Sequence, residues 1–345
     1  MTVAMQPRKL NLSIASAAML PMVRKEPSMS LAAIAEAGLR GGADGILLHL
    51  TDERWLVRED DFEQVRRVCS EMDRSFQLRL WSAGPLITTA LKFRPDVVCL
   101  TAESKIGSPQ SYGLSFRGNL GQIKSACQRL KDIGARCYVS IDAGLEAVEN
   151  ALKSDVDGIE FDTSDLCDAI RGGNLKLVDE RFTHLSSMAR YASRHGLGVQ
   201  AGHGLDFEAQ RLLARVPQIR GINMGRYLIG GALMHGLTAM VAEAKGIMLH
   251  AGSGLDGLDA RRQACLYRAN YRGFREMDII MSSFAQAVVP ALVDPDLFMF
   301  EHILEMPDHD LYERIRSTNE PEQGLHIELL TNLRDHYKQS RWLCQ

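Results

Sequence analysis

The 345-residue chain lacks the marks of several large protein classes. Its seven cysteines, Cys69, Cys99, Cys127, Cys137, Cys167, Cys265 and Cys344, are odd in number, and no two stand in C-x-x-C spacing. Zinc-ribbon and thioredoxin-type motifs are thereby excluded. A disulfide framework is not expected, and a reducing compartment is. No apolar run reaches the ~18 residues of a membrane-spanning helix. The opening ten residues carry no apolar signal-peptide core. A cytoplasmic protein without membrane insertion is expected. Charge of one sign is also missing: 40 Lys+Arg against 43 Asp+Glu leaves a net −3. No global basic field exists to gather nucleic acid or an anionic membrane, so any phosphate binding must be local. No G-x-G-x-x-G opens the first strand–helix unit, which argues against a dinucleotide-binding sheet. No G-x-S-x-G elbow supports a Ser-His-Asp triad. Low-complexity runs and fixed-period repeats are absent as well.

What is present is an ordinary globular composition, 46% hydrophobic and 24% charged, ample for a sizeable core. Over the first 250 residues, short apolar runs alternate with segments of helical period. Strands are predicted at 10–14, 45–49, 76–80, 97–100, 136–141, 158–161, 198–201 and 221–224. Helices between them include 31–40, 61–72, 118–133, 145–153, 177–195, 207–215 and 230–249. Gly134 and Gly196 follow helices as C-terminal glycines do, and Asp206 stands where an N-cap would. Alternating strands and helices imply right-handed crossovers and a parallel sheet. Eight units in about 240 residues favour a closed (β/α)8 barrel over an open sheet.

The beat stops at a Gly-rich stretch, 251–257, which reads as a linker. Beyond it the pattern is helical only, with candidates at 260–271, 276–289, 295–305, 308–317 and 326–337. From Leu258 onward there are 10 Lys+Arg and 14 Asp+Glu, a net of −4. The preceding residues carry 30 against 29, a net of +1. The expected fold class is therefore α/β, a (β/α)8 TIM barrel over 1–250 followed by a small acidic all-α domain over 258–345.

Barrels of this kind place their chemistry at the C-terminal strand ends. Those positions hold Asn11 and Ser13, His49 and Thr51, Arg79, Thr101 and Glu103, Asp142, Glu160 and Asp162, Gly202–Gly204, and Gly225 with Arg226. His203, flanked by glycines, reads as an imidazole facing the mouth or as a satisfied structural histidine. His49 is open between the same two readings. Glu160 suits a general acid or base, or a partner for an arginine such as Arg79. Gly204, Gly225 and Arg226 stand where such barrels commonly bind phosphate through backbone N–H groups, unless the glycines serve tight turns. His49, Glu103, Glu160 and His203 do not form a compelling metal set, and none is expected.

Across residues 8–250 the barrel resembles the pyridoxine 5'-phosphate synthase family. The segments that carry it are Ala43-Asp-Gly-Ile-Leu-Leu-His-Leu50, Arg94-Pro-Asp-Val-Val-Cys-Leu100, Ile159-Glu160, Ala201-Gly-His-Gly-Leu205, Asn223-Met-Gly225 and Leu228–Leu237. That family condenses 1-deoxy-D-xylulose 5-phosphate with 3-amino-2-oxopropyl phosphate, needs no metal or organic cofactor, and is typically a homo-octamer. The resemblance implies that Asn11 orients substrate and that His49, Glu160 and His203 are catalytic. It implies that Gly204 and Gly225 bind phosphate, and hence a phosphorylated ligand and a homo-oligomer. Departures accompany it. The first-strand Asn-x-Asp-His is Asn11-Leu-Ser13-Ile14 here, and His-Leu-Arg is His49-Leu-Thr51. A catalytic glutamate on the third strand is replaced by Arg79. Met22 stands where a phosphate-binding arginine is expected, with Arg24 two residues on, and Arg226 replaces a histidine. A guanidinium charged at every working pH cannot take a proton, so the ordinary reaction is expected to be impaired.

Residues 258–340 resemble the FAD assembly factors of succinate dehydrogenase. The signature Arg-Gly-x-x-Glu is Arg272-Gly273-Phe274-Arg275-Glu276, with Asp278 following. Arg261-Arg262, Tyr267-Arg268 and the run Met306-Pro-Asp-His-Asp-Leu-Tyr-Glu313 fit too. The resemblance implies a partner, the flavoprotein subunit, contacted through Arg272, Gly273, Glu276 and Asp278. FAD would then be handled through that partner. Exposed Arg side chains with Tyr271 and Phe274 suit such an interface. Three functions compete: a flavinylation factor fused to a divergent barrel, a still active synthase with an added domain, and a phosphate-ligand sensor or oligomerisation scaffold.

Overall fold

The computed structural model describes residues 8–20, 30–51, 57–81, 84–102, 113–250, 258–270, 272–292, 294–317 and 327–340. The linker 251–257, Met22, Arg24, Glu103, Tyr271 and Cys344 lie outside the described residues. The chain divides into two compact units. One comprises Met1–Gly173 with Glu180–Leu249; the other comprises Asn174–Asp179 with His250–Gln345.

In the first unit, eight parallel strands close in sequence order. They are β1 (Lys9–Ser13), β2 (Gly45–His49), β3 (Ser75–Trp81), β4 (Val97–Thr101), β5 (Arg136–Ile141), β6 (Gly158–Asp162), β7 (Gly198–Gly202) and β8 (Ile219–Met224). β8 pairs with β1 through Asn11↔Asn223, which shuts the barrel. The outward-facing strand residues, among them Leu10, Ile46, Leu78, Val98, Val139, Ile159 and Ile222, are buried beneath the surrounding helices. That is why the strands read as nearly continuous apolar runs.

The predicted helix 230–249 needs correction. Two helices, Arg226–His235 and Leu237–His250, meet at Gly236, whose φ of +78° breaks the ladder. The helix Gly84–Phe93, unpredicted, completes the unit between β3 and β4. Asp206 caps the helix Phe207–Leu213 by accepting from the Ala209 N–H at 2.8 Å.

Three aspartates latch the N-terminal ends of the strands in pairs. Asp44 Oδ2 accepts from the Leu10 N–H, Asp96 Oδ2 from Phe76 and Asp157 Oδ2 from Cys137, each at 2.7 Å. Each aspartate's own N–H returns to the carbonyl of the same residue. The latches join β1 to β2, β3 to β4 and β5 to β6.

The second unit is helical. Helices Leu258–Asn270, Arg275–Val288, Asp294–Glu305, Asp308–Arg316 and Ile327–Ser340 make up most of it, with a 3-10 turn at Val289–Ala291. Met277, Ile280, Met281, Phe284 and Ala285 recur at helical spacing and are buried, with Phe300, Ile303, Leu311 and Leu333. Arg261 grips Glu301 in a two-pronged ion pair, Nε–Oε1 2.9 Å and Nη2–Oε2 2.7 Å.

Candidate functional site

Side chains alternate across a strand, so one inward residue fixes the parity of its strand. The inward set fills the barrel axis with polar groups. Arg79 on β3 and Glu160 on β6 form an ion pair through Nη2 and Oε1, with side chains 7% and 0% exposed. His203 follows β7, and its Nε2 lies 3.2 Å from the same Oε1. Glu160 Oε2 accepts from Asn223 Nδ2 on β8. Asn223 also donates to Gln200 Oε1 at 3.1 Å and accepts from Asn11 Nδ2 at 2.8 Å. Asn11 Oδ1 accepts from Gln77 Nε2 at 2.9 Å. One network therefore runs from Gln77 through Asn11 and Asn223 to Glu160, where Arg79 and His203 converge.

Glycines make room for it. A Cβ on Gly202 would stand 2.7 Å from Glu160 Oε1, and one on Gly45 would stand 2.9 Å from Asn11 Oδ1. His203 itself adopts φ +73°, a left-handed conformation unfavourable for a non-glycine residue. Thr163 Oγ1 braces the turn, lying 2.8 Å from the Gly202 carbonyl and 2.6 Å from that of His203.

Burial in this interior sets the protonation states. Burial alone would raise the Glu160 carboxyl, but the Arg79 guanidinium and His203 overcome it and hold the group well below the usual carboxylate range. Burial lowers His49 to about 3, assisted by Arg79 and His203. His203 is lowered by burial and then by Arg79, with Glu160 opposing. At neutral pH the axis holds one guanidinium, one carboxylate and two neutral imidazoles.

A stability profile follows from these directions. Below about pH 6.5 the unfolded chain protonates its histidines while folded His49 stays neutral down to about pH 3. His49 therefore destabilises the fold by about 1.4 kcal/mol per pH unit between those two values, and His203, lowered as well, acts in the same direction. Glu160, ionised in the fold, contributes stability above its unfolded pKa of about 4.3, and this is lost as the pH falls below it. Thermal melts at pH 7.5, 6.0 and 5.0 should show a progressive drop in Tm. An unchanged Tm across that range would contradict neutral buried histidines.

Several expectations change position. Asn11 does not follow β1 but lies within it, 1% exposed and bonded to Gln77 and Asn223, so it sits below the mouth. Arg79 and Glu160 do not cap their strands either; both point inward one turn of pleat below the ends. His49 ends β2, and its Nε2 is buried with no hydrogen-bond partner among the described residues. A cavity of about 230 Å³ opens beside it, lined by Thr51, Val57, Phe62, Thr89 and Phe93 among others. Phe62 and Phe93 stack there at 4.9 Å. Gly204 has φ +75° and serves a turn. A Cβ on Gly225 would meet the Ser13 carbonyl at 2.8 Å, so it serves close packing of β8 on β1. Gly225 N-caps the helix that opens with exposed Arg226. Gln77, Gln200 and Asn223 escaped the sequence reading as site residues. Their signal was parity: each is a polar residue on the inward face of an apolar strand.

In the second unit, the expectation that the Arg272 side chain is exposed is corrected. Its side chain is 8% exposed and paired with Asp308. It also donates through Nη1 to the Leu304 carbonyl at 2.6 Å and through Nη2 to the Met306 carbonyl at 2.9 Å. The Gly273 N–H donates to Asp308 Oδ2, and a Cβ on Gly273 would stand 2.7 Å from that oxygen. Asp278 Oδ1 accepts from the Arg272 N–H at 2.5 Å. Arg275 and Glu276 are exposed at the start of the helix Arg275–Val288. Phe274 packs edge-on to Tyr312, ring centres 5.4 Å apart, and Arg316 lies over the other ring at 5.4 Å.

Comparison with known proteins matches both units. Residues 263–337 match the family model described as flavinator of succinate dehydrogenase. A pyridoxine 5'-phosphate synthase of Rhodopseudomonas palustris is 31% identical over 212 residues, covering 61% of this chain and 82% of that protein. The synthase of a second strain of that species is 28% identical over 252 residues, covering 72% and 97%. A thiamine phosphate pyrophosphorylase structure from Pyrococcus furiosus covers 70% of this chain and 96% of its own at 15% identity, with a TM-score of 0.49. Residues 10–250 match the model described as pyridoxal phosphate biosynthesis protein PdxJ, and the chain belongs to that family.

Proposed function

We propose that the chain is a flavinylation factor for the flavoprotein subunit of succinate dehydrogenase, fused to a pyridoxine-synthase-type barrel that no longer runs the family's condensation. The observation that carries the first half is the turn 272–276. Arg272 and Gly273 are tied down within the unit, and Arg275 and Glu276 are exposed at a helix start. A fixed turn that displays one acid and one base beside an aromatic pair suits a protein partner better than a small molecule. FAD is then handled through the partner, with no cofactor bound by the barrel.

The second half rests on Arg79. It stands where the resemblance expects a proton-taking glutamate, and it holds Glu160 in an ion pair. The remaining role for the barrel is that of a scaffold, self-associating and taking a phosphorylated ligand through the N–H groups near Gly204, Gly225 and Arg226. In cells deprived of any other assembly factor, the full chain should restore covalent FAD on the flavoprotein subunit, read as fluorescence of the denatured band. Glu276→Gln should weaken capture of the flavoprotein roughly tenfold or more. A wild-type chain that leaves the flavoprotein unmodified would sink the proposal.

A further inference from the structure

Two sequence runs in the second unit, Arg272–Glu276 and Met306–Glu313, lie about 30 residues apart, and the fold joins them through one side chain. Asp308 opens the helix Asp308–Arg316. Its Oδ1 receives the Arg272 guanidinium and its Oδ2 receives the Gly273 N–H. The same guanidinium reaches the carbonyls of Leu304 and Met306, the last turn before that helix. Arg272 thus spends its donors on a carboxylate and two carbonyls that the end of the helix Asp294–Glu305 would otherwise leave open. Gly273 is required by the same contact, because any Cβ there would press on Asp308 Oδ2. A second carboxylate, Asp278, takes the Arg272 N–H from the other side. The turn is held at both ends, while Glu276 and Arg275 remain exposed.

We infer that Asp308 is a positioning residue for the docking turn: it fixes residues 272–274 so that Glu276 and Arg275 meet the partner in one orientation. This rests on the flavinylation reading above. The division of labour it assigns is specific. Arg272 and Gly273 work inward, on Asp308, and the partner is met by the residues after them. A preset turn loses less freedom on binding than a mobile one, so its release should appear in affinity and leave the rate at saturation alone.

The test uses the purified full chain and the purified flavoprotein subunit with FAD, titrating the flavoprotein. Asp308→Asn retains size but turns one of the two accepting oxygens into an NH2 donor, so Arg272 and Gly273 can no longer be held through separate oxygens. It should raise the half-saturating flavoprotein concentration tenfold or more, leave the maximal flavinylation rate within twofold, and speed hydrogen exchange at the Gly273 amide. Asp308→Glu, which keeps the carboxylate, should recover part of the affinity. If Asp308→Asn melts the unit, Arg272→Lys replaces it. That change preserves the charge but not the fork, and the same split is expected. Unaltered half-saturation with an exchanging Gly273 amide would overturn the inference. A drop in maximal rate with unaltered half-saturation would overturn it equally. Failure of the wild-type chain to support flavinylation would instead strike the underlying proposal, so the two failures are distinct.

Discussion

Purified protein supplied with 1-deoxy-D-xylulose 5-phosphate and 3-amino-2-oxopropyl phosphate is expected to form pyridoxine 5'-phosphate no faster than a protein-free control. Charge at one inward position decides this outcome. A general base works by taking a proton and returning it, typically contributing about 10²–10⁴-fold to a rate. Arg79 cannot take one, and its pKa is pushed further up because Glu160 outweighs the effect of burial. The same guanidinium acts on its neighbour. Glu160 is held ionised and spends one oxygen on Arg79 and the other on Asn223. A carboxylate so deeply stabilised is a weak base, and neutral His49 and His203 do not supply the missing anionic group. Product formation at a rate comparable with the synthases of this family would refute the proposed loss.

The second large effect is on stability. Glu160→Ala should lower the free energy of unfolding by about 3–5 kcal/mol, because it strands a buried guanidinium and takes from Asn223 one of the two acceptors of its amide, Gln200 Oε1 remaining. The loss comes from breaking the pair, not from any large net strength of the pair itself. Removing both charges should therefore be far milder. The double variant Arg79→Met with Glu160→Gln retains an acceptor for Asn223, and most of the stability should return. Urea midpoints of the three proteins decide the matter. Equal losses in the single and double variants would show that Glu160 matters to the fold for some reason other than Arg79.

The sequence made the barrel legible because its strands are short apolar runs separated by helical period. Each of the eight strands lies within two residues of its predicted limits. The break at Gly236 was hidden because apolar residues continue on both sides of it. The site was harder to see. Arg79, Glu160 and His203 were visible as polar residues in apolar company, and their convergence follows from barrel closure, which no local pattern encodes. Asn11 was counted at the mouth although it lies two residues inside the C-terminal end of its strand, and a residue within the strand sits in a different layer. Arg272 was misjudged for a different reason. Arginine is usually exposed, and composition cannot reveal that Asp308 and two helix-end carbonyls await it.

The three aspartate latches at the foot of the barrel separate what neighbours decide from what the whole chain decides. Buried parallel strands with apolar faces carry little side-chain information about register, since one apolar residue resembles the next. Each latch supplies that information with a carboxylate at a fixed place, across 34, 20 and 20 residues of chain. The seam between β1 and β8 is settled by Asn11 and Asn223, which are 212 residues apart. Loop-closure entropy grows slowly with length but always favours the shorter span. Strand pairs one–two, three–four and five–six are therefore aligned by short stretches of sequence, and along the ladder that closes the ring two asparagines add an agreement over long distance.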